Sequence, residues 1–210
     1  MIKYLFGIAL FLCISCGNKK DILLPKADRT IVKEVVDLSP TYIFFRVEEK
    51  DTLAEVNRKN SIITTNWILN IDKRLPLRLV IPEVMKLQEK KRGDSAHKNE
   101  AAENYYSYAD SIGKNLAFIP FTKVYYTIGE PSESDMVIRI KKRKDIVLVD
   151  EEEVSRKEVV SYVYSLNHIV KPRISLVFDK NMSYGEYIQI KILLRKLDSY
   201  TNEVPREFIF

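Results

Sequence analysis

From residue 136 to its end the chain changes hydrophobic period again and again, and that succession leaves few folds open. Residues 136–141 alternate, Ile138 and Ile140 against Arg139 and Lys141, with the two-residue period of a half-buried strand. The run Lys141 to Lys144, closed by Asp145, makes a charged turn into the apolar stretch 146–149, so the pair reads as a hairpin. Ser155-Arg-Lys-Glu158 has capping-box form ahead of Val159, Val160, Val163 and Leu166 at helical spacing. Residues 173–179 form a short strand of buried type. Ser183-Tyr-Gly-Glu186 then repeats the capping-box pattern before Tyr187, Ile190, Leu194 and Leu197. Glu207-Phe-Ile-Phe210 closes the chain as a strand. The order β-β-α-β-α-β predicts an α+β fold, a small mixed sheet with its helices packed on one face.

The stretch Arg173-Ile-Ser-Leu-Val-Phe-Asp-Lys-Asn-Met-Ser-Tyr-Gly-Glu-Tyr187, continuing through Leu197, resembles the periplasmic domain of the ExbD/TolR family of energy-transducing accessory proteins. In that family a hydrophobic strand ends on an acidic residue, and a short polar turn with an aromatic leads into a helix. Asp179, Tyr184 and the following helix occupy those places, and the resemblance covers residues 135–210. It implies a periplasmic module that docks on sheet edges, peptidoglycan or envelope proteins. The family also carries an N-terminal transmembrane helix with a functional aspartate, whereas the apolar segment of this chain holds no acidic residue. The proton-conducting role is therefore not implied.

Upstream, residues 41–48 read as a strand, residues 62–71 as an apolar run around Trp67, and the stretch to about Lys91 as a helix. A polar loop opens at Gly93-Asp94-Ser95, and residues 100–112 are expected to form a helix. Strand composition returns at 116–121 and 124–128. Residues 129–134 (Gly-Glu-Pro-Ser-Glu-Ser) are the clearest linker and divide a region 41–128 from a unit 135–210 that is expected to fold alone. One echo crosses that boundary. Ile68-Leu-Asn-Ile-Asp-Lys-Arg-Leu75 parallels Ser175-Leu-Val-Phe-Asp-Lys-Asn-Met182 at a constant offset of 107, Asp72 meeting Asp179. Residues 41–128 thus read either as a diverged copy of the C-terminal unit or as an unrelated region. Pro76 and Pro82 speak against a copied helix. If the echo holds, both aspartates stand where a helix begins, at the positive end of its dipole.

The first residues set the compartment. Lys3 precedes an apolar run, residues 4–14, which fits a signal-peptide core of roughly 7–15 residues and falls short of the roughly 20 that span a bilayer. Cys13-Ile14-Ser15-Cys16-Gly17 resembles a lipobox, with Cys13 where leucine is commonest. Two readings follow. Either residues 1–15 are a lipoprotein signal, Cys16 carries the lipid and residues 16–40 are a tether, or the leader is an ordinary cleaved signal. The lipoprotein reading puts the protein in the bacterial cell envelope, anchored to a membrane and facing the periplasm. Cys13 and Cys16 are the two cysteines of the chain, so the remaining 195 residues must be held together by packing. Losing Lys3 lowers the formal charge from +5 to +4, too little for a nucleic-acid footprint.

Catalytic patterns are sparse. His97 and His168 lack ligand spacing, and no metal or cofactor site is expected. Asp150-Glu-Glu-Glu153 reads as a solvated turn, Lys141 to Lys144 as a hairpin tip or a contact for anionic headgroups, and Tyr105-Tyr106-Ser-Tyr108 as core or glycan platform. The expectation is a non-catalytic binding or accessory component of an ExbD/TolR-type envelope system, whose terminal strand Phe208, Ile209 and Phe210 offers a rim for a partner or a homodimer. The competing expectation is a lipid-anchored envelope enzyme acting on cell wall or lipid through paired carboxylates, with Glu100, Glu103 and Asp110 as acid/base groups.

Overall fold

A computed structural model describes residues 21–93, 99–131, 136–142 and 144–210. The strands are β1 (Lys26–Ala27), β2 (Leu38–Glu48), β3 (Asp51–Asn57), β4 (Asn66–Ile71), β5 (Asn104–Asp110), β6 (Asn115–Pro120), β7 (Tyr126–Ile128), β8 (Met136–Ile140), β9 (Ile146–Val149), β10 (Glu152–Ser155), β11 (Ile174–Phe178) and β12 (Arg206–Ile209). The helices are α1 (Leu77–Arg92), α2 (Val159–Ser165) and α3 (Tyr184–Leu194), the last running into a 3-10 turn, Arg195–Ser199. The fold is α+β, with two mixed sheets of six strands.

In the second sheet β9 and β8 are the hairpin, and β8, β11 and β12 run parallel in that order. All five residues of β11 are buried, as expected of a parallel strand covered on both faces. The connections through α2 and α3 step the same way across the sheet. With the usual right-handed crossover, both helices then lie on one face. The first sheet repeats the arrangement: β3 and β2 are the hairpin, and β2, β4 and β5 run parallel with α1 between the last two. Hence β3-β2-β4-β5 and β9-β8-β11-β12 are the same path. The first sheet adds β6 against one edge of β5 and β1 beyond β4 along the other. The second adds β10 outside β9 and β7 outside β12.

The two units meet at the turns that follow β4 and β11. Leu77 N donates to Met182 O and Tyr184 N to Leu75 O (2.9 and 2.7 Å). Arg78 N donates to Lys180 O and Gly185 N to Lys73 O (2.8 and 3.0 Å). Each bond is the other's counterpart at the offset of 107, with Pro76 and Ser183 bridged between them. This is a pseudo-twofold seam made of backbone. Gly185 is needed in it: a Cβ there would stand 3.0 Å from Lys73 Cβ and 3.2 Å from Lys73 O. Most of the buried apolar residues of both units form one continuous core across the seam.

Several elements differ from expectation. Residues 104–110 form β5 and not a helix, because alternate tyrosines fit a pleat: Tyr106 and Tyr108 point inward and are fully buried. Ser155 pairs with Ile146 in the β9–β10 ladder, so it stays extended, and α2 starts at Val159 without a side-chain cap. Ser183 does cap α3, its hydroxyl accepting from Glu186 N, but the Glu186 carboxylate turns to Arg156. Pro76 is the residue before α1 and Pro82 lies inside it, where it removes one ladder bond without ending the helix. The chain passes to the second sheet between residues 121 and 125, because β7 pairs with β12. The crossing thus precedes the 129–134 stretch, of which 132–134 lie outside the described residues.

The terminal strand is also not a rim. β12 is bonded by β11 on one side and β7 on the other, Phe208 and Ile209 are buried, and Phe210 exchanges backbone bonds with Phe178 and Lys180. Its pairing groups are used up inside the sheet, so Phe208, Ile209 and Phe210 offer no partner edge.

Candidate functional site

A cavity of about 360 Å³ opens where β6, α3 and the residues after α3 come together, lined by Glu103, Phe121, Lys191, Leu194, Asp198 and Glu207 among others. The volume is in the range of small-molecule sites. Its floor is an ion pair between Lys191 of α3 and Glu207 of β12, each nearly sealed from solvent. Lys191 lies on the same helical stripe as Tyr184, Tyr187 and Ile188, so an otherwise apolar helix face delivers an ammonium to the interior.

From Glu207 a chain of hydroxyls runs back into the first unit. Tyr187 donates to Glu207 at 2.6 Å. Tyr187 and Tyr126 hydroxyls lie 3.1 Å apart, and Tyr126 and Tyr106 hydroxyls 2.7 Å apart. Tyr106 stacks on Phe121 with ring centroids 3.7 Å apart. Burial above all pushes the Tyr106, Tyr126 and Tyr187 hydroxyls well above the usual phenol range. The three hydroxyls therefore stay neutral, and each can donate one hydrogen bond and accept another along the chain. Burial likewise raises the carboxyl of Asp198, partly offset by Arg195 at 3.5 Å. Glu103, at the mouth, accepts from the Tyr105 hydroxyl at 2.5 Å. Glu103, Asp198 and Glu207 thus each have a cation or hydroxyl partner within their own unit, and the Tyr106–Tyr126 contact links the units beneath this polar lining.

The residues of the acid/base expectation are dispersed. Glu103 lines the cavity and Glu100 sits in the exposed turn before β5. Asp110 is at the far end of β5, about 20 Å along the strand from Glu103. Its carboxylate accepts from Thr30 and from the amides of Ile112 and Gly113, which shapes the β5–β6 turn. Asp72 is buried and accepts from Leu23 N, Arg74 N and the Arg74 guanidinium. Burial pushes this carboxyl up, but those bonds outweigh it and hold it below the usual carboxylate range. Asp179 accepts from Asn181 N at 2.8 Å, the counterpart of Arg74 N on Asp72. Both aspartates therefore close turns ahead of α1 and α3 and do not cap the helices.

His168 lies beside Tyr200. Asp150 and Glu151 take positive φ (47° and 74°) in the β9–β10 turn, as two-residue hairpins require. Cys16 and His97 lie outside the described residues. Among the described residues no group of three His, Cys, Asp or Glu side chains is placed to hold a metal ion, and no helix is long and apolar enough to cross a membrane. Sequence reasoning missed Lys191 and Glu207. The signal was a lysine on the apolar stripe of α3 and a glutamate inside an apolar terminal strand.

A second feature concerns backbone. In the second unit the outer edge of β9 is covered by β10. In the first unit the equivalent edge, that of β3, has no strand beside it among the described residues. β3 is seven residues long, free of proline and lysine, with Leu53 exposed. No protein-family model, characterised protein or solved structure matches the chain.

Proposed function

We propose that this chain is a non-catalytic lipoprotein of the bacterial envelope, attached to a membrane through Cys16 and facing the periplasm. In this reading it is a binding or accessory component of an ExbD/TolR-type transport or energy-transduction system, and it docks a partner strand on β3. The observation that carries the docking mode is the contrast between the equivalent edges of the two units, one covered by β10 and one open. Extended segments add to such edges through main-chain bonds, with specificity from alternate side chains. The succession of elements in the C-terminal unit, with Asp179 following β11 and Tyr184 opening α3, is in line with the family resemblance. A second copy pairing through β3 would be the homodimer form of the same contact.

Hydrogen exchange resolved to single amides tests the docking mode. Solubilised envelope should protect β3 amides and leave β10 unchanged, and Leu53→Lys, which blunts the edge, should abolish the protection. Protection that spares β3, or that survives Leu53→Lys, overturns it.

A further inference from the structure

The anchored reading has a geometric consequence. Leu23 is tied to the turn after β4: its amide donates to Asp72 at 3.2 Å and its carbonyl accepts from Lys73 N at 2.8 Å. It lies seven positions after Cys16, a reach of about 24 Å even when fully extended. A body of this size is about 40 Å across. A lipid on Cys16 therefore holds the face around Leu23 against the bilayer, and that face is the seam between the two units.

The seam carries Lys73, Arg78, Lys142 and Lys180. The first, second and fourth belong to the reciprocal backbone bonds, and Lys142 N donates to Asp179 at 3.4 Å. Arg78, Lys142 and Lys180 are exposed, and none of the four is in an ion pair among the described residues. The acids beside them are satisfied elsewhere: Asp72 by Arg74, Glu186 by Arg156, and Asp179 by backbone amides. We infer that this face is a basic platform that binds the phosphates of anionic phospholipid headgroups, fixing which side of the body lies on the membrane.

The inference rests on the anchored reading for its orientation, and its test does not need the lipid. The chain from Gly17 onward keeps every described strand and helix and is sedimented with vesicles of phosphatidylcholine, with or without phosphatidylglycerol. Binding should require phosphatidylglycerol and fall away at high salt, where the interaction is screened. Each cation near an anionic surface contributes about fivefold to partition, so Arg78→Gln, Lys142→Gln and Lys180→Gln together should weaken binding about a hundredfold. Lys59→Gln with Lys90→Gln, far from the seam, should leave it unchanged. Circular dichroism checks that each variant is folded. No binding to phosphatidylglycerol vesicles, equal loss in both variants, or retention by peptidoglycan in place of vesicles overturns the platform. Acyl labelling at Cys16 is scored separately, so an acylated protein without vesicle affinity sinks the platform alone.

Discussion

Replacing Glu207 by Leu removes one partner of the Lys191–Glu207 pair and leaves an ammonium in the interior. Both side chains are over nine-tenths buried, so water cannot take over the lost contact. Stranding one charge of a buried pair costs about 3–5 kcal/mol. The Tyr187 hydroxyl also loses its carboxylate acceptor, about 1 kcal/mol more, although Tyr126 stays within reach. Against a total stability of about 5–15 kcal/mol this is a large fraction. At about 2–4 °C per kcal/mol for a chain of this size, the melting temperature should fall by about 10–15 °C. Changing both residues, Lys191→Met with Glu207→Leu, removes the stranded charge and should recover most of the loss, since apolar replacement of a buried pair is often neutral or stabilising. Guanidinium unfolding of the parent, both single variants and the double variant gives the coupling directly. A Glu207→Leu protein within about 1 kcal/mol of the parent, the value of an exposed pair, or strict additivity in the cycle, would refute the account of the cavity floor.

Further outcomes are expected. Cys16→Ala should abolish acyl labelling and release the protein from membranes; recovery with membranes after high-salt washing would contradict the anchor. A chain beginning at Ser134 should melt without a cooperative transition by calorimetry, because it lacks β7 beside β12 and the first unit's half of the seam; a sharp transition would contradict that dependence. The folded-state pKa of Asp72 is depressed, so its contribution is present above about pH 4 and is lost as the pH falls through the folded value. Asp72→Asn should therefore be less stable at neutral pH and show a shallower acid limb in urea titrations.

Most of the second unit was legible from residue 136 on because its elements other than β10 declare themselves locally. The alternation at Ile138 and Ile140, the β11 run with Ser175 as its one polar residue, and the Ser183 cap are all short-range signals. Elements defined by distant partners were not legible. Residues 100–112 carry enough helix formers to suggest a helix, yet Tyr106 and Tyr108 find a core only in a strand between β4 and β6. Ser155 and Glu158 spell a cap, but pairing with Ile146 outweighs a local hydrogen bond. The terminal strand was recognisable as a strand, while its place between β11 and β7 depends on a segment about 80 residues earlier. The cavity floor failed for a related reason. Lys191 and Glu207 are 16 positions apart, and only the packing of α3 on β12 makes them one pair.

The weakness of the echo between the two units follows from what the seam is made of. Its four reciprocal bonds are backbone to backbone, so they constrain chain path and hardly constrain side chains. Leu75 and Met182, Pro76 and Ser183, and Leu77 and Tyr184 can therefore occupy equivalent places. Aspartate at positions 72 and 179 is different, because its own carboxylate closes the turn onto the amide two residues ahead. The residues that match by eye are thus those whose side chains do the backbone's work. The units then diverge: β9 is covered by β10 while β3 has no strand beside it among the described residues, and Asp72 is buried beneath the exposed Arg74 while Asp179 is half-exposed. Two equal units would present two equal edges and bind two equal partners. β10 covers β9 but is itself an outer strand, four residues long and carrying Glu152 and Glu153, so the two units present unequal edges, and the docking proposed above falls on the longer one, β3.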